Sequence, residues 1–154
     1  MKTFSVPPLH VVGASETALD GLLHQVATAP QQVGFRAYDG HSWVGVSYRE
    51  FLARARRLAL GLIDAGVQPG ERVALMSRTR LEWSLCDYAV WLAAAVTVPI
   101  YETSSAEQVA WMLSDSAGAC QMVCGAPRGA DVPSGGERTP RLACRGRSVK
   151  LAAA

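Results

Sequence analysis

The chain has 154 residues, 49% of them apolar and 18% charged, with a formal net charge of +2. That supply of apolar side chains is ordinary for a soluble globular protein, the charged fraction is on the low side, and the length fits one domain at most, with a real core. The most apolar window, Tyr88 to Ile100, is shorter than the roughly 20 residues of a membrane span, and no secretory pattern opens the sequence, so a cytoplasmic protein is expected.

Residues 1–16 read as irregular, with Pro7-Pro8 blocking regular hydrogen bonding. A first helix is expected from Thr17 to Thr28, with Leu19, Leu22, Leu23 and Val26 on one side and Pro30 ending it. Val33–Ala37 and Trp43–Ser47 flank Asp39-Gly40, a strong turn pair, and predict an antiparallel hairpin. Ser47-Tyr48-Arg49-Glu50 has the form of a capping box opening a helix that runs to Ala65. Its apolar stripe is Phe51, Ala55, Leu58 and Leu62, widened by Leu52, Ala59 and Ile63, and Gly66 supplies the stop.

After a turn at Gln68-Pro69-Gly70-Glu71, three short apolar segments alternate with two helical ones. Arg72–Met76 is a strand. Thr79-Arg80-Leu81-Glu82 reads as a second capping box, with a helix to about Ala94. Val96–Ile100 is a strand, Ser104-Ser105-Ala106-Glu107 caps a helix ending near Gly118, and Ala119–Val123 is the third strand. Strand, helix, strand, helix, strand with nearly all-apolar strands predicts an α/β fold with a parallel sheet buried on both faces.

Composition changes at Gly125. Residues 1–124 hold nine Lys/Arg against eleven Asp/Glu, whereas residues 125–154 hold six against two and are rich in Gly, Pro and Arg. The expectation is a partial α/β domain at 1–124 and a disordered tail at 125–154, leaving the third strand as an open edge. The tail's basic residues, Arg128, Arg138, Arg141, Arg145, Arg147 and Lys150, lack the interleaved aromatics of a nucleic-acid arm. An accidental reading frame in GC-rich coding DNA gives the same bias, and no nucleic-acid partner is expected.

Few residues point to chemistry. The turn after the first parallel strand, Met76-Ser77-Arg78-Thr79-Arg80, has no glycine, and no Gly-x-x-x-x-Gly-Lys-Ser/Thr occurs. Arg78 and Arg80 near a helix start have the charge to meet an anion, with surface placement as the alternative. Ser77, Ser84, Ser104 and Ser105 lie near helix starts without a Gly-x-Ser-x-Gly elbow, and His10, His24 and His41 lie far from them in sequence. Asp64 and Glu71 flank a turn, and Glu82 and Asp87, five apart, do not share a face as a catalytic pair. Cys120 and Cys124 have a knuckle-like spacing but no second pair, and Cys86 and Cys144 complete no site. Trp83 and Trp91 fall on nearly one helix face, reading as core or as an apolar ligand wall; Trp43 and Trp111 are the other tryptophans.

Four stretches carry a resemblance: Ser47-Tyr-Arg-Glu-Phe51; Gly61-Leu-Ile-Asp-Ala-Gly66-Val-Gln-Pro-Gly70-Glu-Arg-Val-Ala-Leu-Met76-Ser-Arg-Thr-Arg80; Glu82-Trp83 with Asp87-Tyr-Ala-Val-Trp91; and Val98-Pro-Ile-Tyr101-Glu-Thr-Ser-Ser105-Ala-Glu-Gln108-Val-Ala-Trp111. Together they make residues 3–123 resemble the N-terminal region of bacterial long-chain fatty-acid–CoA ligases, of the adenylate-forming, AMP-dependent synthetase family. The resemblance implies ATP, Mg²⁺, coenzyme A and a fatty acid as the full-length family's cofactors and partners. It implies a two-step reaction through an acyl-adenylate, with release of pyrophosphate and then AMP. The family's phosphate loop, aromatic-Gly-x-Thr/Ser-Glu segment, ribose-binding Asp and C-terminal lysine have no matching positions here; Pro133-Ser-Gly-Gly136 lacks the Thr-Ser-Gly-Thr core and the lysine. No catalytic, cofactor-binding or metal-binding residue is therefore assigned. Tyr101–Ser105 are expected to turn and cap the chain, or to line one wall of the family's cleft. The expectation is a truncated, inactive ligase fragment. The alternatives are a stand-alone accessory module and a basic-tailed nucleic-acid binder.

Overall fold

A computed structural model describes residues 5–7, 11 and 13–116, together with the backbone of strands at 120–124, 141–144 and 147–150. The order is α1 (Asp20–Thr28), β1 (Val33–Tyr38), β2 (Trp43–Ser47), α2 (Tyr48–Asp64), β3 (Arg72–Ser77), α3 (Leu81–Leu92), β4 (Val96–Ile100), α4 (Ala106–Asp115), β5 (Cys120–Cys124), β6 (Arg141–Cys144) and β7 (Arg147–Lys150).

The expected hairpin forms, with β1 and β2 antiparallel and an irregularity between Val33 and Phe35. The turn is held by Asp39, whose carboxylate Oδ1 accepts the backbone N–H groups of His41 and Ser42 at 2.8 and 2.7 Å. Those bonds, that from Ser42 first, hold the Asp39 carboxyl below its ordinary range. Gly40, at φ +107°, takes a backbone conformation that L side chains resist. Gly34 sits under the ring of Tyr48, where a Cβ would lie 2.3 Å from a ring carbon.

Helix α2 begins as its sequence requires. Ser47 Oγ accepts the Glu50 N–H at 3.2 Å, but the Glu50 carboxylate turns outward to Arg54 instead of closing a reciprocal box. The helix ends at Asp64, and Gly66 follows at φ +94°. Phe51, Leu52, Ala55, Leu58, Ala59 and Leu62 are buried, whereas Ile63, expected on the stripe, is exposed. Helix α1 begins at Asp20, three residues later than expected, and buries Leu22.

The main sheet has the order β4-β3-β5-β6-β7. Strands β4 and β5 both run parallel to β3, with Val73 opposite Thr97 on one side and Cys120 on the other. The Gly70 N–H donates to Ala94 O, and the Val96 N–H donates to Glu71 O, both at 2.8 Å. These bonds align the starts of β3 and β4. By the right-handed crossover rule, connections to opposite sides of β3 put α3 and α4 on opposite faces of the sheet. Val73 and Leu75 point to the α2–α3 face and join the one large core with Phe51, Leu58, Leu62, Leu85, Ala89 and Val90. Phe35 stacks on Phe51 at 3.9 Å, and Tyr88 meets Phe51 edge-on at 5.3 Å, joining the hairpin to the helices.

Two expectations change here. The tail was expected to carry no strand, yet β6 pairs antiparallel with β5, and β7 with β6. The edge of β5 is thereby covered. Residues 125–140, 145–146 and 151–154 lie outside the described residues. The second change is at α3, whose cap position is Arg80 with no side-chain cap bond; Thr79 does not cap. Arg80 instead grips Glu82 through two bonds of 2.6 Å.

Candidate functional site

In an open α/β sheet, ligands gather outside the carboxyl ends of the parallel strands. Two described loops occupy that edge: Ser77–Arg80 after β3 and Tyr101–Ser105 after β4. Arg78 Nε donates to Glu102 Oε2 at 2.9 Å, tying one loop to the other. Both arginines considered for anion binding therefore already face carboxylates, Arg78 on Glu102 and Arg80 on Glu82. A pair of this kind presents little net field to a phosphate.

Of the four serines, Ser105 has the clearest duty. Its hydroxyl accepts the Gln108 N–H at 3.2 Å, and Gln108 Oε1 accepts the Ser105 N–H at 2.9 Å, a complete capping box. The box lies one residue later than Ser104-Ser105-Ala106-Glu107 suggests. Ser104 lines a shallow depression of about 590 Å³ with Tyr101, Glu107, Gln108, Trp111 and Met112. Tyr101 is 81% exposed and Trp111 66% exposed. The sequence singled out Tyr101–Ser105 as a possible cleft wall. It did not bring Trp111 and Met112 to the same place; the i, i+4 spacing of Gln108 and Met112 on α4 was the available signal.

The remaining candidates disperse. His24 and His41 are exposed, and Asp64 is exposed. Among the described residues, no cluster of three metal-ligating side chains exists. Trp83 packs against the main core, Trp91 lies against Tyr88 at 5.0 Å, and Trp43 stands 66% exposed beside Tyr38. Cys86 is buried in α3. Register places Cys144 opposite Cys120 across β5 and β6.

Asp87, weighed in the sequence only as a partner for Glu82, stands out: it lies on α3 and is 7% exposed. Burial pushes its carboxyl above the ordinary 3.8, opposed by the hydroxyl of Thr97 on β4. That hydroxyl lies close enough to favour the charged carboxylate, yet Thr97 Oγ1 makes no well-formed hydrogen bond. The adjacent Tyr88 hydroxyl is raised too, by burial first and then by the Asp87 charge. Asp87 lies on the core face, away from the carboxyl-edge loops, and its raised carboxyl bears on stability.

Comparison with known proteins agrees with this frame. The family described as AMP-binding enzyme matches residues 23–150. That match continues through β6 and β7, past Val123, where the quoted resemblance stops. The long-chain-fatty-acid–CoA ligase FadD15 of Mycobacterium bovis is 42% identical over 116 residues, 75% of this chain and 19% of that protein. The uncharacterized protein Rv1549 of Mycobacterium tuberculosis is 32% identical over 95 residues, 62% of this chain and 53% of that protein. The crystal structure of IdnL1 superposes with a TM-score of 0.66 at 23% identity, covering 74% of this chain and 23% of that one. The fold is that of the N-terminal part of adenylate-forming enzymes, and the chain belongs to the AMP-binding enzyme family. It spans about one-fifth of the length of FadD15. Among the described residues, no helix is long and apolar enough to cross a membrane.

Proposed function

We propose that these residues form the N-terminal scaffold of a cytoplasmic long-chain fatty-acid–CoA ligase, and that the 154-residue polypeptide does not itself form acyl-adenylate. The observation that carries this reading is the 42% identity to FadD15 over 116 residues beside the lack, in this sequence, of any stretch matching the family's phosphate loop. The β3–α3 loop, at the carboxyl edge of the sheet, has no glycine, and its two arginines are paired with Glu102 and Glu82. Adenylation moves charge onto a leaving pyrophosphate and needs donors and a metal ion positioned there. No residue set among the described residues supplies them. ATP, Mg²⁺, coenzyme A and a fatty acid are the substrates and cofactors of the whole enzyme, met by residues other than those described. The segment contributes the β4-β3-β5 sheet, its α2–α3 core and the Tyr101–Ser105 loop at the sheet's carboxyl edge.

The test is a chimera in which residues 1–124 replace the corresponding stretch of FadD15. We expect palmitate- and coenzyme-A-dependent AMP release within about tenfold of the parent. A monodisperse, cooperatively melting chimera with no such activity would overturn the assignment to fatty-acid–CoA ligases.

A further inference from the structure

Strands β5 and β6 bring together two cysteines that lie far apart in the chain. Their antiparallel register sets Cys120 directly opposite Cys144. Opposed residues of an antiparallel pair have Cα atoms about 4.5 or 5.5 Å apart, depending on the kind of pair. A disulfide spans Cα atoms about 4.4–6.8 Å apart, so either kind of pair meets its requirement. The same register row runs through Val73 of β3 and ends at Arg147 of β7, opposite Cys144. A cation at the neighbouring register position favours the thiolate, the form that enters disulfide exchange.

The other cysteines are set apart by position. Cys124 closes β5, four residues beyond Cys120, about 13 Å of strand at roughly 3.3 Å per residue. That exceeds the limit of about 7 Å for a bond to either Cys120 or Cys144. Cys86 is buried on α3, which packs over β3 and β4. We propose that Cys120 and Cys144 are a redox-sensitive pair that forms a reversible disulfide locking β6 onto β5. The oxidant is a low-molecular-weight disulfide. One cysteine thiolate attacks it, breaking its S–S bond, expelling one small thiolate and leaving a mixed disulfide. The second cysteine thiolate attacks the protein sulfur of that mixed disulfide and expels the other small thiolate. One S–S bond is lost and one gained, and the two protein thiol protons end on the two released thiols. In a reducing compartment such a bond is transient and follows the supply of oxidant. While it lasts, it fixes the β5–β6 register that covers the edge of the parallel strands.

The test exposes the full, reduced 154-residue chain to oxidised glutathione, traps remaining thiols by alkylation and maps unreduced peptides by mass spectrometry. We expect the Cys120–Cys144 linkage within one chain to exceed every other pairing about tenfold or more, because register holds this pair within the geometric limit. Reduced glutathione should reverse it, and in urea the preference should disappear. Cys124→Ser should leave the linkage unchanged, whereas Cys144→Ser should leave Cys120 as a glutathione adduct. Oxidation should slow amide exchange at residues 141–144 about tenfold or more while α2 is unchanged. A dominant linkage of any other pair, glutathione adducts alone in the wild-type chain, or the same pairing in buffer and in urea would overturn the proposal. So would amide exchange at residues 141–144 that oxidation leaves unchanged.

Discussion

The contact between the hairpin and α2 turns on Phe51. Its ring is fully buried, stacked on Phe35 at 3.9 Å and met edge-on by Tyr88 at 5.3 Å. Phe51→Ala removes the buried ring and leaves a cavity, a loss of about 3–5 kcal/mol. The two ring pairs sit at the upper end of that range, because each adds about 0.5–1.5 kcal/mol beyond area burial. A domain of this size has about 5–15 kcal/mol in total, so the variant stays folded only narrowly. With a urea slope of about 2 kcal/mol per molar, the unfolding midpoint falls by about 2 M. Circular dichroism follows the helices and tryptophan fluorescence the tertiary structure; both should shift together. Leu60→Ala, on the exposed side of the same helix, should cost less than about 0.5 kcal/mol. A Phe51→Ala loss below about 1 kcal/mol, or no coupling in the Phe35/Phe51 double-mutant cycle, would refute the docking of the hairpin on α2.

Three further outcomes follow from the structure. Burial holds the folded Asp87 carboxyl above its unfolded value, so its share of stability is full below about pH 3.8 and is lost as pH rises through the folded value. Asp87→Asn should therefore raise the melting temperature relative to wild type more at pH 7 than at pH 4; an equal change at both would contradict a raised Asp87. Gly34→Ala drives a methyl group into the Tyr48 ring and should cost about 1–3 kcal/mol, measured by urea titration and relieved in a Gly34→Ala, Tyr48→Ala double variant. Ser105→Ala removes the α4 cap and should cost about 1 kcal/mol locally, seen as faster amide exchange in the first turn of α4 while α2 is unchanged.

Local chemistry was legible wherever one principle dominated. Asp39-Gly40 gave its turn, Ser47 its cap and Gly66 its stop, because each depends on nearest neighbours alone. The alternation of β3, α3, β4, α4 and β5 followed from apolar periodicity, and the parallel pairing follows from those crossovers. Competition between side chains was not legible. Thr79 and Glu82 have capping-box spacing, but Arg80 takes Glu82 first. Arg78 looked available to an anion because Glu102 lies 24 residues away in sequence and reaches it only once β3 and β4 pair. In the sequence Asp87 invites comparison only with Glu82, and its burial follows from α3 packing against β3 and β4. β6 and β7 have no apolar alternation of their own and pair through backbone groups, which composition does not record.

The direct measurement is ATP–pyrophosphate exchange by the purified 154-residue polypeptide with palmitate and Mg²⁺. We expect no exchange above the protein-free blank, because no stretch of this sequence matches the family's phosphate loop and the described arginines of the β3–α3 loop are already paired with carboxylates. Palmitate-dependent exchange that rises with polypeptide concentration would contradict it.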